Sequence, residues 1–202
     1  NDIVSIRLPS GVTSIGKSAF QDCKRLRKVE LPRGITKLPD WIFYGCTGLT
    51  KLSVPVNFID DTEEYLFANC VSLEDITLTS SIKQKMPDFE DLLGKPRETP
   101  WYDSDSTNIK ITISENITSI GHGVFYLGTG ITSITIPDSV TSIGESAFNA
   151  CYDLESITIP DSVTSIGKRA FHSTPYYYDK SNWDNDVFYI GKGIGNRVFS
   201  HE

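Results

Sequence analysis

The sequence predicts a solenoid, which is a right-handed stack of coils with one continuous core and parallel strands along its concave face. One observation is internal repetition, because residues 136–144 and 159–167 share the sequence Ile-Pro-Asp-Ser-Val-Thr-Ser-Ile-Gly at an offset of 23 residues. A second observation is a phenylalanine that recurs at one position of six repeats: Phe20, Phe43, Phe67, Phe125, Phe148 and Phe171. Repeats of this period are typical of coils that bury a shared core only when they are stacked.

Each repeat contains one segment with the pattern of a half-buried strand. In residues 154–159, Leu-Glu-Ser-Ile-Thr-Ile, β-branched apolar and polar residues alternate over the last three positions, which suits a strand with one buried face. Proline follows in most repeats and ends the strand, because it cannot donate to a central ladder. The sequence Val-Thr-Ser-Ile-Gly then predicts a second short strand. The residues around the recurrent phenylalanine predict a helical or 3₁₀ turn that directs the ring into the core.

The 202 residues are predicted to form a single solenoid domain. We expect repeats over residues 1–78 and 108–173, an insertion over 79–107, and an aromatic C-terminal cap over 174–202. Within the insertion, residues 87–94 predict a short helix, with proline early, acidic residues in the first turn and glycine at the end. The repeat pattern is already present in the first residues without a polar cap, so we expect a mature or excised form of a longer chain.

The consensus Leu-x-x-Ile-x-Ile-Pro-x-x-Val-x-x-Ile-Gly-x-x-Ala-Phe-x-x-Cys is most complete in residues 131–151 and 154–171. It resembles the leucine-rich repeats of bacterial surface antigens, the BspA-like or Treponema-type family. The resemblance implies a leucine-rich-repeat-type solenoid and a surface-exposed or secreted bacterial protein that binds proteins, matrix or host cells. Residues 79–107 depart from the pattern, as does the third coil, where residues 60–64 replace Thr-Ser-Ile-Gly.

Composition narrows the classes of partner. The net charge of −7 argues against nucleic acid, because an acidic chain gains nothing from the release of counterions. No apolar run reaches the roughly 18 to 20 residues of a membrane-spanning helix. The chain is therefore expected not to span a membrane. The resemblance to surface antigens implies a location at the surface of a bacterium or outside it. We expect a monomer, although the sequence does not determine the oligomeric state.

Four cysteines, Cys23, Cys46, Cys70 and Cys151, each lie three residues after the recurrent phenylalanine. They are thus one repeat position seen four times, which favours a column of buried thiols in the core. A disulfide between Cys23 and Cys46 in neighbouring coils is an alternative. A zinc site is disfavoured because the sequence has no Cys-x-x-Cys pair and no partner histidine, and we expect neither a metal nor a cofactor.

The chain is not expected to be an enzyme. His122, His172 and His201 are scattered and have no matching nucleophile, so a catalytic triad is not indicated. A glycan hydrolase that uses adjacent acids such as Glu74 and Asp75 is a weaker alternative, because nothing in the sequence fixes two carboxylates at the required separation.

Charged residues at the strand positions of the early repeats replace the serine and threonine of the later ones. They indicate either a surface that binds a partner or an ordinary solvated surface. The candidates on or beside strands are Arg7, Arg27, Lys28, Glu30, Lys51, Glu74 and Asp75. Trp41, Trp101 and Tyr102 are aromatic candidates elsewhere, and each either anchors a partner or packs on the solenoid. The predicted function is a non-enzymatic binding or adhesion module for a protein or glycan. The alternative is a structural spacer that presents other domains of a larger surface protein.

Overall fold

The computed structural model describes residues 3–35, 38–56, 66–80, 83–86, 88 and 107–174, together with the backbone of 197–199. Over these residues the chain is a parallel-strand solenoid, which confirms the predicted fold class. The strands are β1 (Ser5–Arg7), β2 (Lys28–Glu30), β3 (Lys51–Pro55), β4 (Asp75–Thr79), β5 (Gln84–Lys85), β6 (Ile109–Ile113), β7 (Ile117–Ile120), β8 (Ile131–Thr135), β9 (Ser142–Ile143), β10 (Ser156–Ile159), β11 (Ser165–Ile166) and β12 (Arg197–Phe199).

In the described part of the chain these strands form two sheets. The larger sheet has the order β1-β2-β3-β4-β6-β8-β10-β12, and the smaller has the order β11-β9-β7-β5. Neighbouring strands are parallel except β12, which runs antiparallel along the edge of β10. Apart from register shifts at Gln84–Lys85 and Ile109–Lys110, the other pairings join equivalent positions of successive repeats, as in Ile134 opposite Ile157. A side chain therefore lies beside its own counterpart one coil away.

The core consists of columns of equivalent apolar residues. The central inward position of the larger sheet is occupied by Val29, Leu52, Ile76, Ile111, Ile134 and Ile157, all of them buried. The recurrent phenylalanines are buried as well, and their rings stack from coil to coil. The centroid distances are 5.6 Å for Phe20–Phe43, 6.4 Å for Phe43–Phe67, 5.3 Å for Phe125–Phe148 and 5.1 Å for Phe148–Phe171. The predicted phenylalanine stack is confirmed within two sets of three rings, Phe20 to Phe67 and Phe125 to Phe171.

The segment that carries the phenylalanine, which we call the turn arm, is a series of single turns. The amides of Ala19 and Gln21 donate to the carbonyl groups three residues earlier, as a 3₁₀ turn requires. The amides between them cross to the next coil instead: Ser18, Phe20 and Asp22 donate to the carbonyl oxygens of Asp40, Ile42 and Tyr44 at 3.2, 3.1 and 2.8 Å. This alternation places two residues of the arm at positive φ, Ser18 at 58° and Asp22 at 57°.

The expected insertion overlaps the regular stack at its beginning. Thr79 lies in β4, and β5, within the range 79–107, pairs with β7. Met86, directly after β5, is fully buried. Asp88 accepts a hydrogen bond from the amide of His122 at 2.7 Å. The predicted helix over 87–94 lies outside the described residues apart from Asp88, as does most of the predicted cap over 174–202.

Truncation of a ring inside the phenylalanine column should cost more than truncation at its end. Phe148 stacks on a ring on each side and is fully buried, whereas Phe20 stacks on Phe43 and is 9% exposed. We expect Phe148→Ala to lower the free energy of unfolding by about 3–5 kcal/mol, and Phe20→Ala to lower it by clearly less. Urea unfolding followed by circular dichroism measures both. Equal losses would contradict the stacked column.

Candidate recognition face

The outward positions of the larger sheet form two columns in register. The first column contains Ser5, Lys28, Lys51, Asp75, Lys110, Ser133 and Ser156. The second column contains Arg7, Glu30, Ser53, Thr77, Thr112, Thr135 and Thr158. The charged members, which we call the charged strip, are Arg7, Lys28, Glu30, Lys51, Asp75 and Lys110. They all lie on β1 to β4 and β6, and the later strands carry only hydroxyl residues in these columns.

Ion pairs cross-link the charged strip. Lys28 Nζ lies 2.6 Å from Glu30 Oε1, and Arg7 Nε lies 3.5 Å from Glu30 Oε2. Lys51 Nζ lies 2.7 Å from Asp75 Oδ2 on the next strand. The hydrogen bond from Lys28 lowers the pKa of Glu30 below its ordinary value, and the hydrogen bond to Asp75 raises the pKa of Lys51. Exposed pairs of this kind contribute little to stability, so the fold does not depend on these charges.

The strip is positively charged on an acidic protein. It has four cationic side chains (Arg7, Lys28, Lys51, Lys110) and two anionic ones (Glu30, Asp75), which leaves a surplus of two positive charges, whereas the whole chain has a net charge of −7. A local surplus of this sign attracts anionic groups and orients an approaching partner.

The structure brings most of the strand candidates together. Arg27 and Glu74 are exposed and immediately precede β2 and β4, beside the first column. Arg27 Nη1 donates to the carbonyl oxygen of Gly48 at 3.0 Å, which holds the arginine against the next coil.

Lys110 was missed by the sequence analysis. It lies directly opposite Asp75 in the register, two residues before Thr112, as Asp75 is two residues before Thr77. The two-residue spacing to the threonine could have identified Lys110 from the sequence. The longer fourth repeat made it harder to align the fifth repeat with the earlier ones.

Among the aromatic candidates, the structure describes Trp41, which does not lie on the charged strip. Trp41 is half-buried in the turn arm of the second coil at φ 61°, and its ring packs on Tyr44 with a centroid distance of 4.8 Å. Of the two alternatives for Trp41, anchoring a partner or packing on the solenoid, this contact supports packing. Trp101 and Tyr102 lie outside the described residues.

The cysteine column consists of four buried free thiols. Each of three cysteines donates from Sγ to the carbonyl oxygen of the column phenylalanine in the preceding coil: Cys46 to Phe20 at 2.9 Å, Cys70 to Phe43 at 3.1 Å, and Cys151 to Phe125 at 3.0 Å. Burial raises the pKa of Cys46 and of Cys151 to about 12. The thiols thus pack in the core and join neighbouring coils. The sequence predicted their burial but gave no sign of the hydrogen bonds.

The described residues contain neither a cluster of metal-binding side chains nor a membrane-spanning helix. No group of three or more His, Cys, Asp or Glu residues in this part of the chain is placed to hold a metal ion. No helix there has the length and apolar character needed to cross a membrane.

Stacked parallel strands with an inward column of leucine, isoleucine and valine define a leucine-rich-repeat solenoid. The family model of the BspA type leucine-rich repeat region matches the chain in six copies, over residues 1–87 and 101–200. The chain belongs to this family. No curated protein matches it.

Solved structures with a similar fold are leucine-rich repeat proteins of bacteria. A leucine-rich repeat protein from Eubacterium ventriosum is 25% identical, with a TM-score of 0.56, and the match covers 89% of this chain and 46% of that one. One from Bacteroides ovatus is 20% identical, with a TM-score of 0.43, and covers 85% and 50%. A leucine-rich cell surface protein from Faecalibacterium prausnitzii is 26% identical, with a TM-score of 0.38, and covers 76% and 38%. The chain spans about half the length of the first two.

The thiols of Cys46 and Cys151 should resist alkylation in the folded protein. Both are buried and have a pKa of about 12, and only the thiolate reacts with iodoacetamide. Mass spectrometry after treatment at pH 8 should find both unmodified, while the same treatment in concentrated urea should modify them. Rapid labelling of either thiol without urea would show that it is not buried as described.

Stability should fall as the pH rises above about 9. The unfolded thiol has a pKa of about 8.5 and that of folded Cys46 is about 12, so between these values the unfolded chain has released a proton that the folded chain retains. This difference favours unfolding. The urea midpoint should therefore decrease more between pH 8 and 10 for the wild type than for Cys46→Ala, and an equal decrease would contradict the raised pKa.

Proposed function

We propose that this chain is a non-enzymatic recognition module that acts outside a bacterial cell and binds a protein or glycan partner through the charged strip. The observation that supports the proposal is the distribution of charge on an otherwise uniform scaffold. Positions that carry Lys28, Lys51 and Lys110 in early coils carry Ser133 and Ser156 in later ones, on strands with the same register. The scaffold accepts serine here, so folding does not require the lysines.

The extracellular location is supported by the family. BspA type repeats match most of the chain, and the sequence resembles the repeats of bacterial surface antigens. Solenoids offer a long regular face on which several neighbouring coils can contact one partner. A role in adhesion or in binding host or matrix components follows from these properties as a proposal.

A structural spacer is the second candidate. The ion pairs Lys28–Glu30 and Lys51–Asp75 favour it, because they satisfy much of the charge of the strip within the module itself. A spacer would tolerate changes in the strip without loss of adhesion by the protein that contains it.

Replacement of two lysines by serine, the residue of the later coils, should distinguish a recognition module from a structural spacer. We expect Lys28→Ser with Lys51→Ser to weaken binding of a partner by at least about tenfold, which corresponds to about 1.4 kcal/mol. The partner is sought on a glycan array and a panel of purified matrix proteins, and its affinity is measured by biolayer interferometry.

The matched control is Ser133→Glu with Ser156→Glu, which changes the net charge of the chain by the same amount in the same column of later coils. This control should bind as the wild type does, and melting curves should show that both variants are folded. Equal loss in the two variants would attribute binding to overall charge. Absence of any ligand would favour the spacer.

A further inference from the structure

A groove of about 670 Å³ opens where the strands of the first coils end. Its lining combines two arginines, Arg7 and Arg33, with the hydroxyl groups of Ser10 and Ser53 and with aliphatic surface that includes Leu8 and Pro32. Both arginines are exposed. The groove therefore combines guanidinium groups with surface that is partly apolar.

The turn that borders the groove differs from the equivalent turns of the later coils. After their strands the later coils carry Pro-Asp-Ser-Val, and the hydroxyl groups of Ser139 and Ser162 donate to the carbonyl oxygens of Ile117 and Val140, both at 2.7 Å. In the second coil the serine is replaced by Gly34, whose backbone lies close to the preceding coil, since an added Cβ atom would be 3.3 Å from the carbonyl oxygen of Val12. The second coil therefore lacks the serine hydroxyl group that bonds this turn to the preceding coil in the later repeats.

The charge of this turn is also reversed. The residue before the serine is Asp138 in one later coil and Asp161 in the next, whereas the second coil has Arg33 at the equivalent position. Arg33 in place of aspartate makes this turn basic. The equivalent turns of the later coils are acidic.

Arg7 is exposed although it forms an ion pair. Its Nε atom lies 3.5 Å from Glu30, while Lys28 approaches the other oxygen of Glu30 at 2.6 Å. The side chain of Arg7 is 86% exposed, so its guanidinium group is accessible to a ligand. With Arg33 and Glu30, the groove has a surplus of one positive charge.

We infer that this groove binds carboxylate side chains of an acidic segment of a partner protein. The inference rests on the proposed function and names the chemistry of the partner. The planar fork of a guanidinium group matches a carboxylate in two parallel hydrogen bonds. The lysines of the charged strip lie on the adjoining coils, about 4.8 Å apart where strands are neighbours, and they extend the basic surface for further carboxylates.

The lining favours a peptide over an acidic sugar chain. Among the described residues that line the groove there is no aromatic ring on which the apolar face of a sugar could stack. The aliphatic surface of the groove, which includes Leu8 and Pro32, suits the methylene groups of glutamate side chains instead. Asp138 and Asp161 repel an acidic segment in the later coils, so binding is confined to the first coils.

The experiment measures binding of a fluorescein-labelled oligoglutamate peptide by fluorescence anisotropy. The main variant exchanges residues between equivalent turns, Arg33→Asp with Asp138→Arg, and keeps the net charge of the chain unchanged. We expect the wild type to bind and the exchange variant to bind at least about tenfold more weakly. Unchanged affinity, or no binding by the wild type, would overturn the inference.

An oligogalacturonate probe, which carries carboxylates on sugar rings, tests whether the groove prefers an acidic sugar chain to an acidic peptide. Tighter binding of this probe than of oligoglutamate would overturn the assignment to a peptide. Failure of the inference is also separable from failure of the proposed function. If a partner is lost by the lysine-to-serine variant but is bound normally by the exchange variant, the groove assignment is wrong and the recognition function stands.

Discussion

Stacking of each coil on its neighbour, with equivalent residues in register, is the constraint on which the rest of the structure depends. Strand amides, turn-arm amides and thiols all reach across to the adjacent coil, as in the bond from Cys46 to the carbonyl oxygen of Phe20. The backbones come close as well, since a Cβ atom added to Gly144 would lie 2.6 Å from the carbonyl carbon of Gly121. Stability is therefore a property of the interfaces between coils and not of a single coil.

Because the inward positions carry this constraint, the outward positions are free to differ. Ile134 and Ile157 must fit their neighbours in the core, but Lys110 and Ser133 occupy the same outward column on adjacent strands. The same separation applies in the turn after the strand, where Arg33 stands at the position of Asp138 without a change in the coil. Charged residues can therefore replace the usual serine, threonine or aspartate on a few coils without altering the fold. In this chain such replacements lie mainly on the first coils.

The repeat made most of the fold predictable from sequence. The spacing of the phenylalanines located the core column, and the position of the cysteines relative to them indicated burial. Hydrogen bonds from the thiols and the crossing amides of the turn arm could not be predicted, because they depend on the distance between coils. β5 was assigned to an insertion because its residues lack the consensus. The groove could not be predicted, because its lining comes from several successive coils and depends on how they stack. The charged strip was predicted in outline, without Lys110.

The left-handed residues of the turn arm set a lower limit on the size of such a molecule. Ser18 and Asp22 recur as Ser146 and Ala150, and as Arg169 and Ser173, all at positive φ. A non-glycine residue in this conformation costs on the order of 1 kcal/mol or more. Every added coil brings the same backbone strain, whereas the number of interfaces is one fewer than the number of coils. In a short array the strain is therefore larger relative to the stabilisation from the interfaces between coils. Folding becomes favourable only beyond a threshold number of repeats.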